Sequence, residues 1–272
     1  MKAAMKREFK SRAQFAGAAF ALMLATAASL GAQSKATATT EAKLPPPRAG
    51  FSFPQKQTLT YAVDLRVLPA GTAVVHFEAQ GDTEKVTVSA QTNGTVSLIY
   101  KIDDHFETIF DRLKGCTNEY DKQTIEGRRK LSSTLKIDYT QSHSILDEKN
   151  LVNGKSKHVE TPIAGCATDL LTGMYYAASQ PLEVGKSIVL PVVDALHTVP
   201  VTLKVEGREE VKTPLGVFKT VRVQPTADAG EVKNRGNIWI WYTDDERHLP
   251  VQMRARLFWG TITFRLVGNE NQ

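Results

Sequence analysis

The chain has 272 residues, 42% of them hydrophobic, with 34 Lys/Arg against 29 Asp/Glu and only two cysteines. Five of the basic residues and one acid fall in residues 1–31, and removing them leaves 29 bases and 28 acids. The remainder is therefore near neutral, and its charge gives no support to binding nucleic acid or an anionic membrane.

Lys2, Lys6, Arg7, Lys10 and Arg12 precede an apolar run from Phe15 to Leu30. That order predicts an export signal over residues 1–31, with a small-residue cleavage point near Gly31 or Ala32 and no cysteine for a lipid anchor. An uncleaved inner-membrane signal anchor is the alternative. No transmembrane span is expected in the mature chain. Residues 32–50, rich in Ala, Thr and Lys and ending near Pro45-Pro46-Pro47, predict a disordered tether. Residues 51–270 are long enough for one well-buried domain.

Within that domain, Leu59, Tyr61, Val63, Leu65 and Val67 alternate with polar or small residues, predicting a strand that turns at Pro69-Ala70-Gly71 into Thr72–Gln80. Gly81-Asp82 turns again, and Asn93-Gly94 predicts a tight hairpin, a reading preferred over Asn93-Gly94-Thr95 as a glycosylation site. Leu131, Leu135 and Ile137 continue the alternation against polar neighbours. One segment breaks the period: Leu170, Leu171, Met174, Tyr175 and Ala178 share a helical stripe, predicting a short helix over 168–178 capped by Thr168. Strands resume over Ile188–Val193, Thr198–Glu206 and Phe218–Val223, followed by a loop over 226–236.

The last quarter is a three-strand meander. Ile238, Ile240 and Tyr242 alternate with Trp239 and Trp241; Val251, Met253, Ala255 and Leu257 alternate with Gln252, Arg254 and Arg256; Ile262, Phe264 and Leu266 complete it. A strand with Ile on one face and Trp on the other is buried twice, against a core and against either the helix or an apolar cavity. Trp239, Trp241, Arg254, Arg256, Met174 and Tyr175 are therefore the candidate ligand-lining residues. The register that would set Trp239 against Arg254 or against Met253 is left open. The predicted fold is mainly β: a single antiparallel, strongly curved sheet or partly open barrel with one short helix.

Cys116 and Cys166 form a disulfide candidate if the chain is exported, with two buried free thiols as the alternative. No nucleophile elbow, phosphate loop, zinc-protease helix or Cys-x-x-Cys occurs. Asp103-Asp104-His105 and Asp244-Asp245-Glu246-Arg247-His248 could bring carboxylates together for a metal or for acid–base work. Turn chemistry is the simpler reading, with Asp bonding the bend, Arg247 pairing with a neighbouring carboxylate and His248 solvated. No catalytic residue, metal ligand or cofactor is assigned.

Leu59–Ala73, Ile99–Asp104, Thr213–Thr220 and Trp241–Val251 with Gly260 resemble, in order and spacing, the bacterial envelope proteins of domain of unknown function 3108 (DUF3108). Tyr175–Gly185 keeps that pattern's tyrosines and glycine but lacks its Arg. The resemblance implies an exported, mostly β protein without naming a reaction. The Trp, turn, Leu-Pro, strand order is also similar to that of periplasmic lipoprotein carriers, which hold acyl chains. The expected function is a non-catalytic periplasmic module for an apolar or lipid-like molecule or an envelope protein partner. The alternatives are an envelope assembly protein without a small-molecule site and a metal-dependent hydrolase built on the acidic turns.

Overall fold

A computed structural model of the chain describes residues 43–194, 197–234, 237–257 and 260–271. The expected export signal over residues 1–31 and the first part of the expected tether lie outside them, as do Phe258 and Trp259. Among the described residues the strands are β1 (Lys56–Leu65), β2 (Leu68–Gln80), β3 (Thr83–Thr92), β4 (Asp103–Asp111), β5 (Thr117–Glu126), β6 (Arg129–Asp138), β7 (His143–Asn150) and β8 (Ser156–Pro162). They continue as β9 (Ser187–Asp194), β10 (His197–Thr213), β11 (Gly216–Thr226), β12 (Asn237–Thr243), β13 (Pro250–Leu257) and β14 (Gly260–Asn271). The short helices are α1 (Gly94–Ile99), α2 (Leu170–Tyr176), which runs on as a 3-10 turn over Ala177–Ser179, and α3 (Gly230–Asn234).

All fourteen strands form one sheet in the order β8-β7-β6-β5-β4-β3-β2-β1-β14-β13-β12-β11-β10-β9. Every pair of neighbours is antiparallel. The first and last strands therefore meet in the middle, and two meandering wings spread from them. Val75 and Phe106 of one wing and Val201 and Leu203 of the other line a common cavity, so the sheet is curled on itself. It is not closed, because the edge strands β8 and β9 do not pair. The curved antiparallel sheet expected from the alternation is what forms.

The segment before α2 clasps the seam. Thr168 N–H donates to Pro191 O and Val193 N–H to Thr168 O on the β9 side, while Thr117 N–H and the Tyr139 hydroxyl donate to Ala167 O on the other. Cys116 and Cys166 are joined across this clasp, with Cα atoms 5.1 Å apart. The helix cap is Asp169 rather than Thr168: the Asp169 side chain accepts from the Leu171 and Thr172 N–H groups, while Thr168 is held in a bridge to Val192.

Three further expectations are corrected. The first hairpin turns at Arg66-Val67, where Arg66 has φ +58°, and not at Pro69–Gly71. Gly71 lies inside β2 because a Cβ there would meet the Gln91 carbonyl oxygen at 2.1 Å. Asn93-Gly94 opens α1 instead of a two-residue hairpin: Gly94 has φ +54°, but the residues after it wind into one turn of helix before β4. The prolines are not part of a free tether. Leu44 is buried, Pro45 O accepts from the Tyr176 hydroxyl at 2.7 Å, and Arg48 N–H donates to Ser179 O at 2.8 Å. Those partners are more than a hundred residues away, so local composition could not reveal them.

Candidate functional site

Period-two alternation sends Ile238, Ile240 and Tyr242 of β12 to the concave side, where Met253 and Ala255 of β13 and Phe264 of β14 join them. Tyr61, Val75, Val88 and Phe106 come from the other wing. The helix α2 lies over the opening and contributes Leu170, Met174 and Tyr175. Together these groups enclose a cavity of about 150 Å³ with an almost wholly apolar wall. Among the described residues no Asp, Glu, Lys, Arg or His lines it.

Of the four tyrosines that line it among the described residues, Tyr61, Tyr120, Tyr175 and Tyr242, three bear on its chemistry. Tyr61 donates to Pro250 O at 2.8 Å and Tyr242 to Met174 O at 2.7 Å. The Tyr175 hydroxyl is buried and has no hydrogen-bond partner among the described residues, although its ring is fixed edge-on against Phe77 at 4.3 Å. Burial raises the pKa of all three above the ordinary phenol value, and for Tyr175 the nearby Tyr61 and Tyr242 add to the rise. They are neutral donors at physiological pH.

Of the six candidate lining residues, the structure brings Met174 and Tyr175 to the cavity and puts the other four on the opposite face of the sheet. Trp239 pairs with Arg254 across the strands and Asn237 with Arg256. Trp241 is buried on this outer side: its indole N–H donates to Glu209 Oε1 at 2.9 Å, and the Arg254 guanidinium lies 5.4 Å from its ring. Arg222 bonds Glu209 and Glu206, both at 2.8 Å, and completes the lid over the indole. The doubled burial of β12 is real, but its second half is a charged lattice over aromatic rings. A strand apolar on both faces does not reveal which face meets the cavity. Ile238, Ile240, Tyr242 and Tyr61 are the residues the sequence reading leaves out; their signals are the Ile/Tyr half of the β12 alternation and, for Tyr61, the Leu59–Leu65 alternation of β1.

The family described as "Protein of unknown function (DUF3108)" matches residues 60–267. The chain belongs to the DUF3108 family. The match spans the curved sheet from β1 to β14, including every strand that lines the cavity. A solved structure, a beta-barrel-like protein of domain of unknown function DUF1849 from Brucella abortus, is similar in fold, with a TM-score of 0.54 at 11% identity over 80% of this chain and 98% of that one. A putative exported protein with a YmcC-like fold from Bacteroides fragilis aligns with a TM-score of 0.36 at 8% identity, covering 81% of this chain and 99% of that one. No curated protein matches the chain.

In this DUF3108 chain the two acidic clusters keep separate partners. Asp245 accepts from Thr243 Oγ1, from Arg247 N–H and from the Arg247 guanidinium, and Asp244 pairs with Arg208 at 2.7 Å. These are the bonds of a bend. Asp104 is buried at the start of β4, where its Oδ1 accepts from Ile125 N–H at 3.0 Å. Burial, and then the Glu126 carboxylate, push its pKa up to about 8. Among the described residues no three His, Cys, Asp or Glu side chains gather as a metal site.

His248 is not solvated as expected. It is half-buried with φ +45°, and its Nδ1 lies 3.0 Å from both Arg48 Nη1 and Ala178 O. Desolvation, then the Arg48 charge, lower its pKa. Arg48 also donates to Ala178 O, Gln180 O and Glu246 O, pinning the segment before β1 to the end of α2 and to the β12–β13 turn. Among the described residues no helix is long and apolar enough to cross a membrane.

Proposed function

We propose that this protein is a non-catalytic carrier or sensor of a small, neutral, mainly apolar molecule held between the curved sheet and α2. The observation that carries the reading is the almost wholly apolar cavity, beside which the Tyr175 hydroxyl is a buried donor with no partner among the described residues. An unmade buried hydrogen bond costs roughly 1–3 kcal/mol, and a ligand acceptor would recover it. No charged side chain among the described residues lines the cavity, which disfavours a carboxylate or ammonium ligand, whose burial unpaired is far costlier. A cavity near 150 Å³ holds one ring or a short run of methylenes. Met174 and Met253, unbranched and adaptable, give the wall room to repack around a longer chain.

The reading includes export to the periplasm through residues 1–31. The basic residues before an apolar run support it, as does the Cys116–Cys166 disulfide, since cytosolic thiols are normally kept reduced. Cell fractionation with thiol labelling checks this part, and a reduced pair in the cytosol would refute it.

Binding is tested by titrating 2-heptanone, heptane and heptanoate into the protein and following the amide signals of β12 and α2. The ketone should bind most tightly and heptanoate least. Tyr175→Phe should cut the ketone's advantage over the alkane by about fivefold, the equivalent of one hydrogen bond. Ala255→Phe, which fills the cavity from its wall, should weaken all three. Absence of saturable shifts, or binding indifferent to Ala255→Phe, would reject the cavity as a site.

A further inference from the structure

Four hairpin ends stand side by side at one end of the sheet: those joining β1 to β2, β3 to β4 through α1, β5 to β6, and β7 to β8. Backbone bonds tie each to the next. Asn93 N–H donates to Ala70 O at 2.9 Å, Gly127 N–H to Lys101 O at 2.8 Å, and Leu151 N–H to Lys130 O at 2.9 Å. The four ends thus form one continuous rim rather than independent loops.

The composition of this rim is unlike that of the rest of the chain. Residues 66–70, 93–101, 127–130 and 150–155 contain no Asp or Glu, but hold Arg66, Lys101, Arg128, Arg129, Lys130 and Lys155. Arg129 pairs with Glu126 behind it, whereas Lys101, Arg128, Lys130 and Lys155 make no ion pair among the described residues. Large apolar side chains point outward between these cations. Val67 is 88% exposed and Leu98 86%, with Leu68, Ile99 and Val152 also exposed, and α1 buries none of its residues. The turns at the opposite end of the sheet carry Asp82, Asp244, Asp245 and Glu246 among their charges.

Apolar side chains on hairpin tips add nothing to the core. A row of them marks a contact surface. Interspersed with cations and without a single acid, they match the boundary of an anionic bilayer, where apolar tips enter the headgroup region and Lys/Arg meet phosphates. We propose that this rim docks on an anionic lipid bilayer, with Val67, Leu68, Leu98, Ile99 and Val152 inserting and Lys101, Arg128, Lys130 and Lys155 at the lipid phosphates. The proposal is independent of the cavity and holds whether or not that cavity takes a ligand.

Flotation of the full chain with phosphatidylglycerol/phosphatidylcholine vesicles, against phosphatidylcholine alone, tests it. Residues 1–42 are common to wild type and variants, so differences between them report the rim. Val67→Asp with Leu98→Asp should lower partitioning onto the anionic vesicles at least about tenfold, and Arg128→Glu with Lys130→Glu by a similar factor, with weaker salt dependence. Melting temperatures report whether the variants fold, and the milder Leu98→Ser with Ile99→Ser replaces any that does not. Equal partitioning of wild type and variants would overturn the proposal, as would equal binding to neutral and anionic vesicles. A wild-type dimer in sedimentation that Leu98→Asp splits would assign the rim to self-association instead.

Discussion

At the start of α2 the Asp169 carboxylate accepts five hydrogen bonds: from the hydroxyls of Thr108, Thr117 and Thr172 at 2.5–2.7 Å and from the N–H groups of Leu171 and Thr172. Six residues later the Tyr175 hydroxyl, equally enclosed, has none. The same helix therefore carries one buried polar group whose bonds are all made by the fold and one whose bond is left open. The first joins the helix to β4 and β5 and leaves no place for a visitor. The second costs stability, and under the proposed function its partner would come from the ligand.

The contrast is broken most directly at the satisfied end. Asp169→Ala strands three hydroxyls and two N–H groups, and should cost about 3–5 kcal/mol in denaturant unfolding. A loss under 1 kcal/mol would mean that the network is not what seats the helix. Next comes the disulfide, which closes a loop over a sequence separation of 50 beside the same clasp. Cys116→Ser with Cys166→Ser should lose about 4 kcal/mol on the chain-entropy account. Combined with Asp169→Ala it should cost less than the sum, because both changes release the clasp before α2.

A third buried polar group, intermediate between the two, is tested by the slope of stability against pH. Asp104 has one bonded oxygen and, through burial and Glu126, a folded pKa near 8, above its ordinary 3.8. Its contribution to stability is full below about pH 4 and is lost as pH rises through about 8, because the unfolded chain releases the proton first. Unfolding free energy should fall by up to about 1.4 kcal/mol per pH unit in that window, and Asp104→Asn should flatten the slope. Glu84, raised to about 7 by burial against the lowering effect of Arg112, adds a fall of the same sign that ends nearer neutrality. The smallest stability change is expected at Tyr175. Tyr175→Phe should leave unfolding within about 0.5 kcal/mol or raise it slightly, since it removes a desolvated group without breaking a bond. A loss of 2 kcal/mol would show that the hydroxyl has a structural partner after all.

The strands, the helix and the family were legible because each rests on local pattern: alternation in β1 or β14, the 3.6 period of Leu170–Ala178, and ordered motifs along the chain. The choice of cap was legible only to the nearest residue, since Thr168 and Asp169 are both cap formers and tertiary bonding to Thr108 and Thr117 decides between them. The candidate site was half legible. Met174 and Tyr175 follow from the helical stripe. The β12 residues went to the wrong face because Ile and Trp are both apolar, and only the Glu209–Arg222–Arg254 lattice, drawn from three other strands, shows that the indoles face out. The docking of Arg48 on Ala178 and His248 had no local signal at all.

The pairing of β1 with β14 has a consequence for how the chain comes to be folded. The first described strand hydrogen-bonds along its length to the last described one, Leu65 opposite Ile262 and Gln57 opposite Asn271. The wing from β1 to β8 can zip up hairpin by hairpin, yet the other edge of β1 stays open until β14, some two hundred residues further along the chain, docks on it. Until that long-range contact forms, the central strand is available to any other extended segment, so a chaperone that shields that edge would act on the step that decides between folding and aggregation.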